Sequence, residues 1–307
     1  MENLYDGIVL VDKNQDETSF DVVRRVRKAL KVKKAGHAGT LDPFATGLLI
    51  VLLGQGTKLS PYLMSREKKY RATLRLGIET DTYDPTGSIL EKRPVPEFDL
   101  DTIREAALGF IGEAEQLPPI FSAVRYRGKH AYEFARKGIK PELKKRKVTI
   151  RALEIISADL PEVTMEVTCS SGTYIRSLAA DLGEKLGPGA YLKALRRLSI
   201  GPFHIQDALN LEKIGFGQIG KVLQDKIISL RDAIPHLTEV QVDEILAQKI
   251  RNGYRPQWEA LKGKAPLKGI HENEIKLVED RTLVAIMKVP EQIKHGGVDL
   301  EILRVFN

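Results

Sequence analysis

One carboxylate in this chain sits where it could do chemistry. The segment 36–47 (GHAGTLDPFATG) carries Asp42 between glycine-flanked turns, fixes it with Pro43, and feeds the apolar run LLIVLL. An acidic side chain at the rim of a buried strand is either a structural cap or a poised nucleophile or base. A second segment, Ser171-Gly-Thr-Tyr-Ile-Arg176, offers an arginine at the start of a predicted helix. Its planar fork could pair with a carboxylate, lowering that group's pKa and keeping it ionised. Other site signatures are absent. Gly54-Gln-Gly-Thr-Lys58 lacks phosphate-loop spacing, and the six histidines show no close metal-ligand spacing. Asp81 and Asp84 in TDTYDPTG read as turn builders rather than magnesium ligands, and Cys169 as inert core.

The elements that must position these residues follow from hydrophobic spacing. Gly7 to Val11 and the run 48–53 read as buried strands. Thr18-Ser-Phe-Asp21 fits a capping box, and Phe20, Val23, Val26 and Leu30 then recur at helical spacing. Tyr70, Ala72, Leu74, Leu76 and Ile78 alternate with Arg71, Thr73 and Arg75, the pattern of a half-buried antiparallel strand. Residues 99–110 predict a helix, 148–156 and 163–169 strands, and 173–186 a helix whose apolar stripe leaves Arg176 to one side. The pattern loosens at 215–220. We expect a boundary between there and Arg231, then a helix over 240–250 closed by Asn252-Gly253, then short apolar segments typical of a small β-barrel. Without regular βαβ alternation the class is α+β.

Length and charge narrow the partners. At 307 residues and 42% hydrophobic, the chain can bury a core in about two domains. Its longest apolar run is six residues, far short of the ~20 of a membrane span. A single cysteine and no secretory leader point to the reducing cytosol. The net charge of +7 is concentrated: residues 21–34 carry seven basic and one acidic side chain, residues 125–151 eleven and two. Two such runs, the second interleaved with Tyr126, His130, Tyr132 and Phe134, suit a polyanion better than two solvated helix faces.

These residues resemble the TruB-type tRNA pseudouridine synthases, in their stand-alone bacterial branch. GHAGTLDPFATGLL (36–49) is similar to the family's catalytic loop, KKYRATLRLG (68–77) to its tyrosine motif, SGTYIRSLAADLG (171–183) to its arginine motif, and LRRLSIGPF (195–203) to the segment after it. QLPPIFSAVRYRGKHAYEFARKG (116–138) resembles the RNA-gripping thumb. The first motif departs: where the family reads approximately D-K-P-x-G-x-T-S, this chain has Asp12-Lys13-Asn14-Gln15-Asp16-Glu17-Thr18-Ser19.

The resemblance implies a pseudouridine-synthase fold with a mixed, largely antiparallel sheet over residues 1–230. A basic thumb would span about 116–151, and a small PUA-like β-barrel that binds RNA would span 231–307. It implies that Asp42 is the catalytic aspartate, that Tyr70 stacks on a flipped uracil, and that Arg176 pairs with Asp42. His37 would fill the vacated stack, and Tyr174 and Leu195 would wall the uracil pocket. No cofactor or metal is implied. The substrate would be the T-loop uridine at tRNA position 55, handled by a cytoplasmic monomer without an obligatory protein partner. A guide-RNA-dependent synthase and a tRNA-folding chaperone with a vestigial pocket are the alternatives.

Overall fold

The computed structural model describes residues 5–122, 124–135, 137–139, 141–215, 217–258, 261, 273–289 and 300–307. Its centre is a sheet of nine strands: β1 (Gly7–Lys13), β2 (Ala35–His37), β3 (Thr46–Leu53), β4 (Lys68–Leu76), β7 (Gly112–Gln116), β10 (Arg146–Asp159), β11 (Glu162–Cys169), β12 (Ala190–Ile200) and β13 (Phe203–His204). The order is β1-β3-β12-β4-β11-β10-β7, with β2 beside β3 and β13 beside β12. Only the β12–β3 pairing is parallel, so the sheet is mixed and largely antiparallel. Two small hairpins accompany it, β5 (Ile78–Thr80) with β6 (Ile89–Lys92) and β8 (Arg125–Tyr126) with β9 (Lys129–His130). Helices α1 (Ser19–Leu30), α2 (Ser60–Met64), α3 (Leu100–Leu108), α4 (Ala131–Ala135), α5 (Ile175–Leu186) and α6 (Ile219–Asp225) complete this part.

Both faces of β3 are covered, which explains its unbroken apolar run. Leu49, Val51 and Leu53 pack with Val22, Val23, Val26 and Leu30 of α1. Leu48, Ile50 and Leu52 pack on the other side with Ile8, Leu10, Ile234 and tail residues Val278, Ile286 and Phe306. A third cluster joins Tyr70, Ala72, Leu74 and Leu76 of β4 to α3 and α5. The opposite face of β4 carries a cross-strand ladder instead: Arg71 with Glu166, Thr73 with Thr164, Arg75 with Glu162.

Four local expectations change. Helix α1 has the predicted Thr18–Asp21 capping box, but Phe20 is 60% exposed. The inward positions are Ser19, Val22, Val23, Val26 and Leu30, because the Ser19 hydroxyl is turned in to bond the Leu41 backbone. Strand β4 ends at Leu76, since Gly77 takes φ +81° and leaves Ile78 to the β5 hairpin. Leu195 lies on strand β12 rather than within a helix.

The fourth change is in the tail. Val240 belongs to β14 (Thr238–Gln241), and α7 (Glu244–Arg251) starts only after Asp243, whose carboxylate accepts from the Leu246 amide. Strands β15 (Glu274–Glu279), β16 (Thr282–Lys288) and β17 (Glu301–Val305) follow, in the order β14-β15-β16-β17. Among the described residues this is an open four-stranded sheet with no closed barrel; segments 262–272 and 290–299 of the expected barrel lie outside them.

Candidate active site

The β2–β3 loop holds Asp42 by its backbone on both sides. The Leu41 amide donates to the Ser19 hydroxyl at 2.9 Å, and that hydroxyl donates to the Leu41 carbonyl at 3.1 Å. On the other side the Pro43 carbonyl accepts from the Asp16 amide at 2.9 Å and from Lys13 Nζ at 3.2 Å. Lys13 is fully buried and spends its remaining donors on the Asn14 and Glu17 carbonyls. Asp16 occupies the glycine position of the family's first motif. It adopts φ +64°, a left-handed conformation that Asp tolerates better than most residues, so the turn survives the departure. Where the loop re-enters the sheet, Gly47 has φ +104°, and a Cβ there would lie 2.4 Å from the Arg197 carbonyl oxygen. Only glycine fits.

Arg176 is 5% exposed, so the sequence expectation that it lies off the buried face is corrected. Its fork is fully engaged. Nε meets Asp42 Oδ2 at 3.0 Å and Nη2 meets Asp42 Oδ1 at 3.4 Å. The other contacts are Nη1 with Asp84 Oδ2 and with the Thr82 carbonyl, both at 3.1 Å, and Nη2 with the Phe121 carbonyl at 2.9 Å. Five donors can carry such a hub; a lysine could not. Asp84 does build the predicted turn, its Oδ1 accepting from the Thr82 hydroxyl and the Thr86 amide, while Oδ2 serves the arginine. Sequence reasoning found the turn and missed the ion pair, because residues 84 and 176 meet only through the fold.

The start of α5 is anchored to Gln116 and Leu117. The Gln116 amide side chain donates to the Tyr174 carbonyl at 3.0 Å and accepts from its N–H at 2.7 Å. The Ser177 hydroxyl donates to the Leu117 carbonyl. Gln116 carries no chemical signature in sequence.

Asp42, Tyr70, Tyr174, Arg176 and Leu195 together line a cleft of about 440 Å³. Arg125 and Arg146 stand exposed at its mouth, and Lys68 and Arg197 are buried in its wall. His37 does not join the lining: it pairs with Val51 on β2, and its Nδ1 is buried without a partner. Burial and the nearby Arg197 charge push its pKa down, so the ring is neutral at pH 7. Cys169 is buried, with its thiol pushed up to about 11 by burial. Among the described residues no three His, Cys, Asp or Glu are grouped to hold a metal.

The electrostatics of Asp42 differ from expectation. Arg176 and Lys13 pull its pKa down, but burial is the largest influence and Asp84 adds to it, so the carboxyl rises above its ordinary value. Its side chain keeps 36% exposure, enough to meet a ligand in the cleft. Burial also raises Tyr70, which is 8% exposed, so it presents a neutral aromatic face. A carboxylate gripped by arginine, beside an aromatic and an aliphatic wall, suits attack on or deprotonation of a nucleoside with the base held flat.

The chain is similar to known proteins. The family described as "TruB family pseudouridylate synthase (N terminal domain)" matches residues 27–175, and "tRNA pseudouridylate synthase B C-terminal domain" matches residues 176–231. A relative named tRNA pseudouridine synthase B from Geobacter sulfurreducens is 41% identical over 303 residues, spanning 98% of this chain and 100% of its own. Another of that name, from Clostridium kluyveri, is 46% identical over 248 residues, covering 81% of this chain and 84% of its own. Among solved structures, a chain of a Cbf5-Nop10-Gar1 complex superposes with a TM-score of 0.75 at 25% identity, covering 98% of this chain and 85% of that one.

Proposed function

Because this chain belongs to the TruB family of pseudouridylate synthases, we propose that it is a tRNA pseudouridine synthase acting on the T-loop uridine at position 55. The observation that carries the reading is the Asp42–Arg176 pair opening onto a cleft walled by Tyr70, Tyr174 and Leu195. The target base leaves its stack, at a cost of a few kcal/mol, and enters the cleft against Tyr70. The N1–C1′ bond breaks with its electron pair remaining on the base. Asp42, ionised, either bonds to C1′ or removes the proton at C2′. The uracil rotates and C5 bonds to C1′ as Asp42 leaves that carbon or returns its proton to C2′; the C5 proton is then lost and N1 gains one, so the product is an isomer and Asp42 is restored. Arg176 positions the carboxylate; Tyr174 and Leu195 hold the ring. His37, at the end of β2 where the Asp42 loop begins, would fill the stack left by the base once RNA is bound.

Exposed Arg125, Arg127, Lys129 and Lys144–Lys147 supply phosphate contacts in this reading, and the cations of α1 supply more. The tail, 231–307, would act as a PUA-type accessory RNA-binding module beside a catalytic region over 1–230. Exposed Lys249, Tyr254 and Arg255 support that role. No helix among the described residues is long and apolar enough to cross a membrane, and the proposed setting is the cytoplasm. The enzyme would work as a monomer without partner proteins, since relatives named as tRNA-specific synthases match along nearly the whole chain. Purified protein incubated with unmodified tRNA transcript, with pseudouridine mapped along it, tests all of this. Pseudouridine at position 55 without guide RNA is expected, and its absence would overturn the reading.

A further inference from the structure

Two buried cations of the cleft lack the counter-charge that Arg176 has. Lys68 is 7% exposed and Arg197 1%. Lys68 Nζ donates to the Met64 carbonyl at 2.7 Å and the Arg66 carbonyl at 2.6 Å. Arg197 donates from Nε to the Leu48 carbonyl at 2.7 Å and from Nη2 to the Gly39 carbonyl at 3.0 Å. All four acceptors are neutral backbone groups, and the Tyr70 hydroxyl beside Arg197 is neutral as well. Among the described residues no carboxylate pairs with either cation, whereas Arg176 in the same cleft has two. Burying a charge against neutral dipoles alone is costly, and a protein keeps such an arrangement where something else repays it. An ammonium has three donors and a guanidinium five, so both groups retain capacity for a further acceptor.

Both residues line the cleft, and Arg197 stands opposite Tyr70 in the β12–β4 register, two residues from Leu195. They therefore adjoin the slot for the base. Resting on the function proposed above, we propose that Lys68 and Arg197 form an anion subsite that receives a negatively charged oxygen of the RNA substrate. Two sources share this chemistry. One is the uracil itself, whose O2 and O4 take up charge when the N1–C1′ electron pair stays on the base. The other is a phosphate oxygen beside the flipped nucleotide. Burial and the Arg197 charge lower Lys68 to about 8, consistent with a cation that waits for its anion.

Lys68→Met removes the charge and keeps the chain length. Single-turnover rates and Kd on T-loop RNA, across a salt series, separate the sources. If the anion is the departing base, the rate falls by about 10²-fold, the cost of losing one preorganised donor, with Kd unchanged. If it is a phosphate, Kd weakens and the slope of log K against log salt flattens by about 0.7, with the saturated rate retained. Arg197→Lys, which keeps the charge, should retain more activity than Arg197→Met. Melting must show each variant folded. Should Lys68→Met fail that check, Lys68→Gln asks the same question and can still donate to the Met64 or Arg66 carbonyl. A folded Lys68 variant with wild-type rate, Kd and salt slope overturns the subsite. If wild-type protein makes no pseudouridine on the same RNA, the failure lies with the proposed function instead.

Discussion

At the scale of single residues, charge and placement at Asp42 are separable. Asp42→Asn preserves volume and leaves the loop anchors at Leu41 and Pro43 untouched, since those are backbone contacts. In the proposed mechanism it removes the group that bonds to C1′ or takes the C2′ proton, so single-turnover pseudouridine formation should fall by several orders of magnitude. Titrated RNA affinity should change little, because phosphate contacts dominate it. From sequence alone the loss of a partner would leave Arg176 unpaired and destabilise the fold. Asp84 removes that concern, since it holds the same guanidinium at 3.1 Å. Burial raises the Asp42 pKa, so the native state holds its proton more tightly than the unfolded chain. Stability from this group is then full below the ordinary carboxylate pKa and falls as pH rises through the raised one. The asparagine variant should consequently melt no lower than wild type at pH 7. The same shift sets the rate profile. Activity needs the ionised form, so the acid limb of the single-turnover rate should lie above the ordinary carboxylate range of about 4. A limb at or below that value would contradict burial as the dominant influence.

At the scale of elements, the proposed thumb and the proposed catalytic loop would divide the work. Lys144 to Lys147 are exposed where the chain re-enters the sheet at β10, and Arg146 also lines the cleft. Replacing all four with alanine should weaken tRNA binding and flatten its salt dependence by about 0.7–0.9 for each phosphate no longer neutralised. The chemical step measured at saturating RNA should slow far less. An unchanged salt slope would mean that another surface grips the backbone. The loop, by contrast, has no freedom to trade. Ser19, Lys13, Asp16 and Arg197 each bind its backbone.

At the scale of the molecule, the tail is fastened to the sheet that carries the loop. Val278, Leu283, Ile286 and Phe306 share a core cluster with Ile8, Leu48, Ile50 and Leu52 of β1 and β3. Lys58 adds a bond to the Val305 carbonyl at 2.6 Å, and the Asn307 amide donates to the Gln55 side-chain oxygen at 3.1 Å. Each large side chain buried fully contributes roughly 1.5–3 kcal/mol. Truncation before Arg231 should therefore lower the melting temperature by several degrees as well as weaken RNA binding. If the truncated protein still folds, the product should be the same, because every cleft residue precedes position 198. A truncation that melts as wild type would show the shared cluster to be energetically idle.

Most of the elements, and the setting of Asp42 between glycine-flanked turns, were legible in the chain before any fold was known. The capping box at Thr18, the alternation through Tyr70–Leu76, the unbroken run of β3 and the glycines around Asp42 are local patterns, set by backbone sterics and by which faces are buried. The pairings that assemble the site came from the fold. Asp84 joins Arg176 across 92 positions, Lys13 reaches Pro43 across 30, and Arg197 binds Gly39 across 158. No periodicity encodes such pairings. The direction of the Asp42 shift was likewise invisible. It is a contest between burial, which depends on everything packed around the loop, and one arginine that the sequence could name but not weigh.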